Sequence, residues 1–283
     1  MTWLFVERLT VIDFSYLDAR RGLVGESWIM DVELEGELDH QGMLFDFALV
    51  KKDIKAWIDR SIDHKLVVPG ASGAYYQDMR QGTGTLTFRL DSGEHIKHTG
   101  PADSVAILNG ISLITPDLVG PYLEKKLKNL LPENVKVIKI QLKPEKITDA
   151  FYHYSHGLQQ HQGNCQRIAH GHRSRIIIDI EGQRDKQWES IWAERLHDSY
   201  IAMEAHMKPC SLENYVFFKY EAEQGTFSLE LPTENCYLIP TETTVERIAE
   251  HIARETARET GKKVSVKAFE GVGKGALFKA VPQ

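Results

Sequence analysis

The chain has 283 residues, of which 42% are hydrophobic and 26% are charged, and its formal net charge is −6. This composition excludes a disordered chain, offers no basic surface for general nucleic-acid binding, and at roughly 150 residues per domain indicates about two domains. No apolar run approaches the roughly 18 to 20 residues of a membrane span, and Glu7 and Arg8 interrupt any signal-peptide core. Three cysteines are too few for a disulfide framework, so we expect a soluble, cytosolic protein.

The first half of the chain predicts two strands, two helices and a closing strand. β-Branched and aromatic residues are frequent over 3–16 and 27–38, as is typical of strands. The first helix is predicted to begin at Asp46, a good N-cap residue. One buried face is predicted from the apolar residues at helical spacing, which are Phe47, Val50, Ile54, Trp57 and Ile58. A second helix is predicted around 117–131, and a strand over 137–142 follows it.

The second half predicts a similar succession of elements. They are strands near 148–156 and 170–181, a helix near 186–204, a β-rich insertion around 205–235, a helix near 244–259 and a strand over 264–269. Thr243 and Glu246 have the spacing of a capping box, which predicts the start of the last helix. Each half therefore has two strands, two helices and a final strand.

Two pairs of segments are similar between the halves. Residues 111–142 and 237–270 both run from a short apolar strand through an amphipathic helix to an alternating strand, and 82–93 is similar to 224–235. Both pairs are separated by about half the chain, which is the signature of a duplicated domain. The alternative is that two αβ units are alike by composition alone. We favour duplication, with modules at 1–145 and 146–283.

Histidines are concentrated in the second half. Five of the twelve lie within twenty residues, with Cys165 among them: His153, His156, His161, His170 and His172. Residues two apart on a strand share a face, so His170 and His172 point the same way, and His156 is the best placed third ligand. Three neutral imidazoles with an open fourth position are typical of catalytic zinc. The alternative is a polar, histidine-rich loop without a metal.

These residues resemble the motifs of the 6-pyruvoyl- and 6-carboxy-tetrahydropterin synthase family. The segment 152–158, Tyr-His-Tyr-Ser-His-Gly-Leu, and the segment 165–172, from Cys165 to His-Gly-His, are similar to its metal and nucleophile motifs. Residues 42–47, Gly-Met-Leu-Phe-Asp-Phe, and 62–66, Ile-Asp-His-Lys-Leu, are similar to a second stretch of the family. The strand over 264–270 resembles the one that ends in the pterin-anchoring glutamate, here Glu270.

The family's motifs are divided between the two halves. In the first half, Phe14-Ser-Tyr-Leu-Asp18 and Val24-Gly-Glu26 stand where the zinc histidines would be, so no metal site is expected there. In the second half we find no Asp-His pair after the first helix, and we interpret His197-Asp198 as a surface pair within that helix. The resemblance implies that the cysteine and the Asp-His pair come from different modules. Asp63 and His64 can therefore serve Cys165, within one chain or between chains.

The resemblance also implies a fold and an assembly. The fold would be α+β, with two tandem T-fold modules, each an antiparallel four-stranded sheet with two helices on one face. The modules would assemble into an oligomeric β-barrel, since closing a barrel removes open strand edges. The insertion around 205–235 has no counterpart in the family.

The implied activity is that of a zinc-dependent lyase acting on 7,8-dihydroneopterin triphosphate. It would eliminate triphosphate and yield a 6-carboxy- or 6-pyruvoyl-tetrahydropterin, with the product and the pathway (queuosine-type, biopterin or folate-related) left open. Zinc would be bound by His156, His170 and His172. Catalysis is assigned to Cys165, which would move protons, with His64 oriented by Asp63 as a second proton carrier. Substrate binding is assigned to Glu270, Thr241 and Glu242.

Two alternatives remain at this point. The first is a sister activity on a related pterin, and the second is a non-catalytic protein that binds pterin and zinc. The assignment of Glu242 rests on a departure from the family, because Thr243 stands where the family usually places a glutamate. No nucleic-acid or membrane partner is expected.

Overall fold

The computed structural model describes residues 1–80 and 82–282, apart from the side chain of Val50. The first half contains eight strands and two helices. They are β1 (Thr2–Asp18), β2 (Gly22–Gly36), α1 (Phe47–Ser61), β3 (Leu66–Pro69), β4 (Tyr75–Arg80), β5 (Thr83–Arg89), β6 (His95–Pro101), β7 (Val105–Leu108), α2 (Pro116–Leu127) and β8 (Val135–Pro144).

The second half continues with ten strands and two helices. They are β9 (Phe151–His156), β10 (His170–Ile180), β11 (Gln183–Arg184), α3 (Lys186–Arg195), β12 (Ser199–Met203), β13 (Met207–Lys208), β14 (Tyr215–Ala222), β15 (Gly225–Pro232), β16 (Cys236–Ile239), α4 (Val245–Thr260), β17 (Val264–Phe269) and β18 (Gly275–Ala280). No helix in the part of the chain that the structure describes is long and apolar enough to cross a membrane.

Each half has one sheet, and five strands follow the same order in both sheets; the second sheet has β18 in addition. The first is β7-β3-β1-β2-β8 and the second is β16-β12-β9-β10-β17-β18, with β11 paired to β10. In both sheets the central hairpin is antiparallel, whereas β3 and β12 run parallel to β1 and β9. The expectation of a purely antiparallel, four-stranded sheet was therefore wrong. A helix connects each hairpin to its parallel strand, and such a crossover is what a parallel pairing requires.

The observed helix ends agree only in part with those predicted from the sequence. Asp46 caps α1 as predicted, and its carboxylate accepts a hydrogen bond from the Ala48 amide. Ile54 and Ile58 are buried as expected, but Phe47 is exposed. The predicted capping box at Thr243 was wrong, because Thr244 is the N-cap of α4. The predicted helix over 186–204 was too long, since it ends at Arg195 and β12 begins four residues later.

A third sheet, the joint sheet, contains strands from both halves. Its six strands are ordered β13-β14-β15-β6-β5-β4, so each half contributes three strands. β6 and β15 pair at the centre, with Leu229 opposite His98. Each of these two strands ends in a proline, Pro101 or Pro232, followed by a short 3-10 turn. Segment 224–235 contains β15, whose counterpart is β6, whereas segment 82–93 contains β5. The predicted match between these segments is therefore displaced by one strand. The insertion around 205–235 has a counterpart within this chain, in strands β4 to β6.

A seam forms where the central hairpins β1–β2 and β9–β10 contact each other. Ser15 Oγ donates a hydrogen bond to Ser155 Oγ at 2.7 Å in the buried interior of this seam. A Cβ atom on Gly171 would lie 2.6 Å from the Cα atom of Gly25, so only glycine fits. This close approach brings β1 of the first half against the histidine-bearing strands of the second half.

We expect His98 to make the joint sheet sensitive to acid. It is 1% exposed, neither ring nitrogen has a hydrogen-bond partner among the described residues, and burial lowers its pKa to about 4. Between that pH and the unfolded pKa of about 6.5, the unfolded chain binds more protons than the native state, so stability falls as the pH falls. The His98 contribution to the free energy of unfolding should drop by about 3 kcal/mol across this window.

Urea denaturation at about pH 7 and about pH 4 measures this loss. His98→Leu should lose less stability on acidification than the wild type, because leucine has no proton to bind. His40→Asn is the matched control, since His40 is exposed. Equal pH dependence in the wild type and His98→Leu would contradict the prediction.

Candidate active site

Three histidines from two adjacent strands converge beside the seam. His156 ends β9 and lies opposite His170 at the start of β10, and His172 follows two residues later on the same face. All three are at most 1% exposed, and each offers one ring nitrogen within 4.8 Å of those of the other two. Their Nε2 atoms have no hydrogen-bond partner among the described residues.

The opposite ring nitrogens are held by the surrounding protein. His156 Nδ1 donates to the Thr243 carbonyl at 2.9 Å, and His170 Nδ1 donates to the Arg167 carbonyl at 3.0 Å. Nδ1 of His172 lies 3.2 Å from Asp13 Oδ1, an ion-pair distance without the geometry of a hydrogen bond. Donation through Nδ1 of His156 and His170 leaves Nε2 as the ligand atom, and the carboxylate beside Nδ1 of His172 favours the same tautomer; such outer groups orient histidines in metal sites. The three unpartnered Nε2 atoms therefore fit one metal ion of the zinc type.

Burial favours the protonation state that metal binding requires. It lowers the pKa values of His156 and His170 well below the ordinary range, because a charged imidazole loses its hydration there. Neutral imidazole is the form that binds a metal ion. The local environment therefore keeps these two side chains ready as ligands.

A cysteine and an Asp-His pair complete the cluster. Cys165 lies in a 3-10 turn between β9 and β10, and ligand atoms of His64, Cys165 and His170 lie within 4.8 Å of one another. His64 Nδ1 donates to Asp63 Oδ2 at 2.6 Å. The imidazole of the first half thus meets the thiol of the second half within a single chain.

The charge of His64 follows from its partners. Burial acts to lower its pKa, but the hydrogen bonds and charges of Asp63 and Cys165 outweigh burial and raise the pKa to about 10. The backbone of His64 is left-handed, with φ of 52°, and its amide donates to the Asp13 carbonyl at 2.7 Å. This turn after α1 presents a positively charged imidazole to Cys165.

Glu270 lies at the edge of the same cluster. It follows β17, and its Oε1 atom is 4.0 Å from His172 Nε2. Lys274 approaches the other carboxylate oxygen of Glu270 at 3.7 Å and Asp13 Oδ2 at 3.3 Å. Glu270 is partly exposed, so its carboxylate faces both the cluster and solvent.

Thr241 and Glu242 are not joined to the histidine cluster by any hydrogen bond or ion pair within the described ranges. Thr241 Oγ1 bonds only the adjacent carbonyl, and Glu242 lies 3.9 Å from His206 Nε2. Glu242 lines a separate cavity of about 350 Å³ with Gln159, Lys208, Lys219 and Tyr220. Thr243, by contrast, holds His156 through its backbone carbonyl.

Sequence reasoning missed Asp13 and Lys274 at this site. Asp13 is 4% exposed and lies between the buried residues Ile12 and Phe14. An acidic residue within an apolar strand was the available signal, but nothing in the sequence identified its partner. Lys274 lies in a glycine-rich turn, where a lysine is ordinarily a surface residue.

At the corresponding position of the first half, other side chains replace the three histidines. Ser15 pairs with Gly25 as Ser155 pairs with Gly171, so Tyr16, Val24 and Glu26 occupy the places of the three histidines. Arg21 fills the space, bonding Tyr16 Oη at 3.0 Å and Asp198 at 2.6 and 2.8 Å. The placement of His197-Asp198 within a helix was wrong, because both residues lie beyond the end of α3. His197 is exposed as expected, but Asp198 is only 6% exposed and is not a surface residue.

The fold and site define a protein built from two related α+β units, with a three-histidine group facing a cysteine and an Asp-His pair. The family model for 6-pyruvoyl tetrahydropterin synthase matches the chain twice, over residues 15–152 and 146–279. The chain belongs to the 6-pyruvoyl tetrahydropterin synthase family.

Relatives of the chain carry related names. The 6-carboxy-5,6,7,8-tetrahydropterin synthase of Rickettsia bellii is 24% identical over 86 residues, which cover 30% of this chain and 58% of that protein. A Methanocaldococcus jannaschii protein assigned the same activity is 30% identical over 122 residues, covering 42% of this chain and 71% of that protein. The 6-pyruvoyltetrahydropterin synthase structure from Plasmodium vivax is 16% identical with a TM-score of 0.41, covering 52% of this chain and 93% of that one.

Proposed function

We propose that this protein is a zinc-dependent tetrahydropterin synthase that acts on 7,8-dihydroneopterin triphosphate and eliminates triphosphate. The observation that supports this most is the meeting of His64, Cys165 and His170 within 4.8 Å in one chain. A protein that only binds pterin and zinc has no use for a thiol beside an Asp-paired imidazole. This argues against the non-catalytic alternative.

His156, His170 and His172 would hold the zinc ion through their Nε2 atoms. When bound, zinc supplies Lewis-acid stabilisation of negative charge on the oxygens of the substrate side chain. Cys165 takes and returns protons on the side-chain carbons, and His64, oriented by Asp63, carries the second proton. Glu270 accepts hydrogen bonds from the pterin ring and so fixes the substrate against the cluster.

The proposed product is the 6-carboxy-tetrahydropterin rather than the 6-pyruvoyl form. Its formation also breaks the bond between the first and second side-chain carbons, consumes one water molecule and releases the outer two carbons as acetaldehyde. The support comes from the names of the curated relatives, which carry the 6-carboxy activity. A sister activity on a related pterin is the remaining enzymatic alternative. Mass spectrometry of the product distinguishes these outcomes directly.

The remaining proposals concern organisation. We place the module boundary between residues 145 and 146, and we propose a homo-oligomer with its sites at module interfaces. β8 and β18 each form one edge of a sheet within the described part of the chain, and an open strand edge is a template for pairing with another chain. Cytoplasmic location stays a prediction.

Zinc removal tests the proposed activity. The zinc-loaded protein should release triphosphate from 7,8-dihydroneopterin triphosphate, and chelation should lower this rate by at least about 100-fold, since a metal ion supplies several kcal/mol of charge stabilisation. Added zinc should restore the rate. Binding of zinc and pterin without triphosphate release would instead establish the non-catalytic alternative.

A further inference from the structure

Asp13 is a buried carboxylate of the metal-less half that contacts the metal site of the other half. It lies on β1, is 4% exposed, and places Oδ1 at 3.2 Å from Nδ1 of His172. Ser27 Oγ donates to the same oxygen at 2.5 Å, and Lys274 Nζ lies 3.3 Å from the other. The carboxylate is therefore held in one orientation, facing a ring nitrogen that does not face the metal position.

The backbone of Asp13 is tied to the proton-relay pair. Its amide donates to Asp63 Oδ1 at 2.9 Å, and its carbonyl accepts from the His64 amide at 2.7 Å. A side chain on Gly271 would collide with Asp13, since a Cβ there would lie 2.5 Å from Oδ1. One residue of β1 thus contacts a metal-ligand histidine, the relay pair and the turn that follows Glu270.

The duplicated half provides an internal comparison. His153 occupies the position that corresponds to Asp13, because Asp13 pairs with Ser27 as His153 pairs with Arg173. His153 faces Glu26 across the seam at 4.0 Å, so acid and imidazole are exchanged relative to Asp13 and His172. That second pair has no metal-binding histidines around it, because Tyr16 and Val24 replace them. An acid–imidazole pair that crosses the seam away from the three histidines is therefore available as a control, with His153 Nδ1 donating to the Gly25 carbonyl at 2.7 Å.

We infer that Asp13 is a positioning residue for the metal ligand His172, supplied across the seam by the half that has lost its own metal site. The negative charge of its carboxylate, 3.2 Å from Nδ1, favours the proton of His172 on Nδ1, so that Nε2 is the free nitrogen on the metal side of the ring. Carboxylate partners of this kind raise ligand basicity, and their loss ordinarily weakens metal binding about 10- to 100-fold. This inference rests on the proposed function only in taking the metal to be zinc.

Competition with a chromophoric chelator measures zinc affinity in the full-length protein without reference to turnover. Asp13→Asn keeps the side-chain shape but removes its charge, and it should weaken zinc binding about 10- to 100-fold. Ser27→Ala removes the hydroxyl that holds Asp13 Oδ1 and should weaken binding by a smaller factor, about threefold. Circular dichroism of the metal-free variants checks that each is folded.

His153→Asn is the matched control and should leave zinc affinity unchanged. Wild-type affinity in both Asp13→Asn and Ser27→Ala would overturn the inference, as would an equal loss in His153→Asn, which would show a packing effect alone. If Asp13→Asn does not fold, the zinc affinities of Ser27→Ala and His153→Asn are compared instead. A loss in Ser27→Ala alone supports the positioning role of Asp13, and equal affinities overturn it. Absence of zinc binding by the wild type would instead refute the proposed zinc enzyme, and this inference with it.

Discussion

Replacement of Cys165 by alanine is expected to lower turnover of 7,8-dihydroneopterin triphosphate by at least about 100-fold, the ordinary effect of removing a general acid–base group. His64→Ala should have a loss of similar size, because the thiol and the imidazole act on the same proton path. The two losses should not add in the double variant, since groups that act as a unit are non-additive. Triphosphate release under saturating substrate measures all three rates.

Mixing the two single variants tests where the site is assembled. His64 and Cys165 lie within 4.8 Å inside one chain, so mixed Cys165→Ala and His64→Ala proteins should stay inactive. Cys210→Ala is the matched control and should keep wild-type turnover, because its sulfur donates to Glu230 at 4.0 Å, outside the histidine cluster. Recovery of activity on mixing would show a site shared between chains, and full turnover of Cys165→Ala would refute the proposed mechanism.

Replacement of Gly25 by alanine is expected to destabilise the seam by about 3 kcal/mol or more, the upper range for overpacking. The added Cβ would collide with the Tyr154 carbonyl oxygen and lie 2.7 Å from the His172 amide nitrogen, both of them backbone atoms. Backbone atoms cannot move aside as the end of a flexible side chain can. Because His172 is displaced directly, zinc affinity should fall together with stability.

Gly84→Ala is the matched control for this substitution. Gly84 also lies in a strand, but its new Cβ would first meet the flexible Met79 side chain, at 2.8 Å. Urea denaturation should show a large drop in the free energy of unfolding for Gly25→Ala and a small one for Gly84→Ala. Wild-type stability of Gly25→Ala would mean that the central hairpins do not pack as described.

Most of the site could be predicted from sequence because its residues are chemically unusual. His170 and His172 alternate on a strand, and His156 lies on the neighbouring strand, so three imidazoles meet whichever way the sheets pack. The prediction that Thr241 and Glu242 bind substrate had no such support. It depended on which of the residues 241–243 faces the histidine cluster. The structure turns Thr243 toward His156.

Fold details were missed where long-range pairing overrides local preference. The segment over 199–203 continues a helical pattern, but β12 pairs with both β9 and β16. Asp198, with a left-handed φ of 50°, lies in the turn between α3 and β12. The joint sheet could not be foreseen for the same reason. Its central pair, β6 and β15, joins residues that are more than 120 positions apart in the chain.

The sequence by itself predicted the family, the duplication, the clustered histidines and their replacement in the first half, because these depend on residue type and short spacing. The tertiary structure alone decided that His64 meets Cys165 within one chain, that Asp13 contacts His172, and that Arg21 fills the second site. Each of these contacts crosses the seam between the halves. They depend on how two sheets pack through small residues such as Gly25 and Gly171, a geometry that no local pattern of residues specifies.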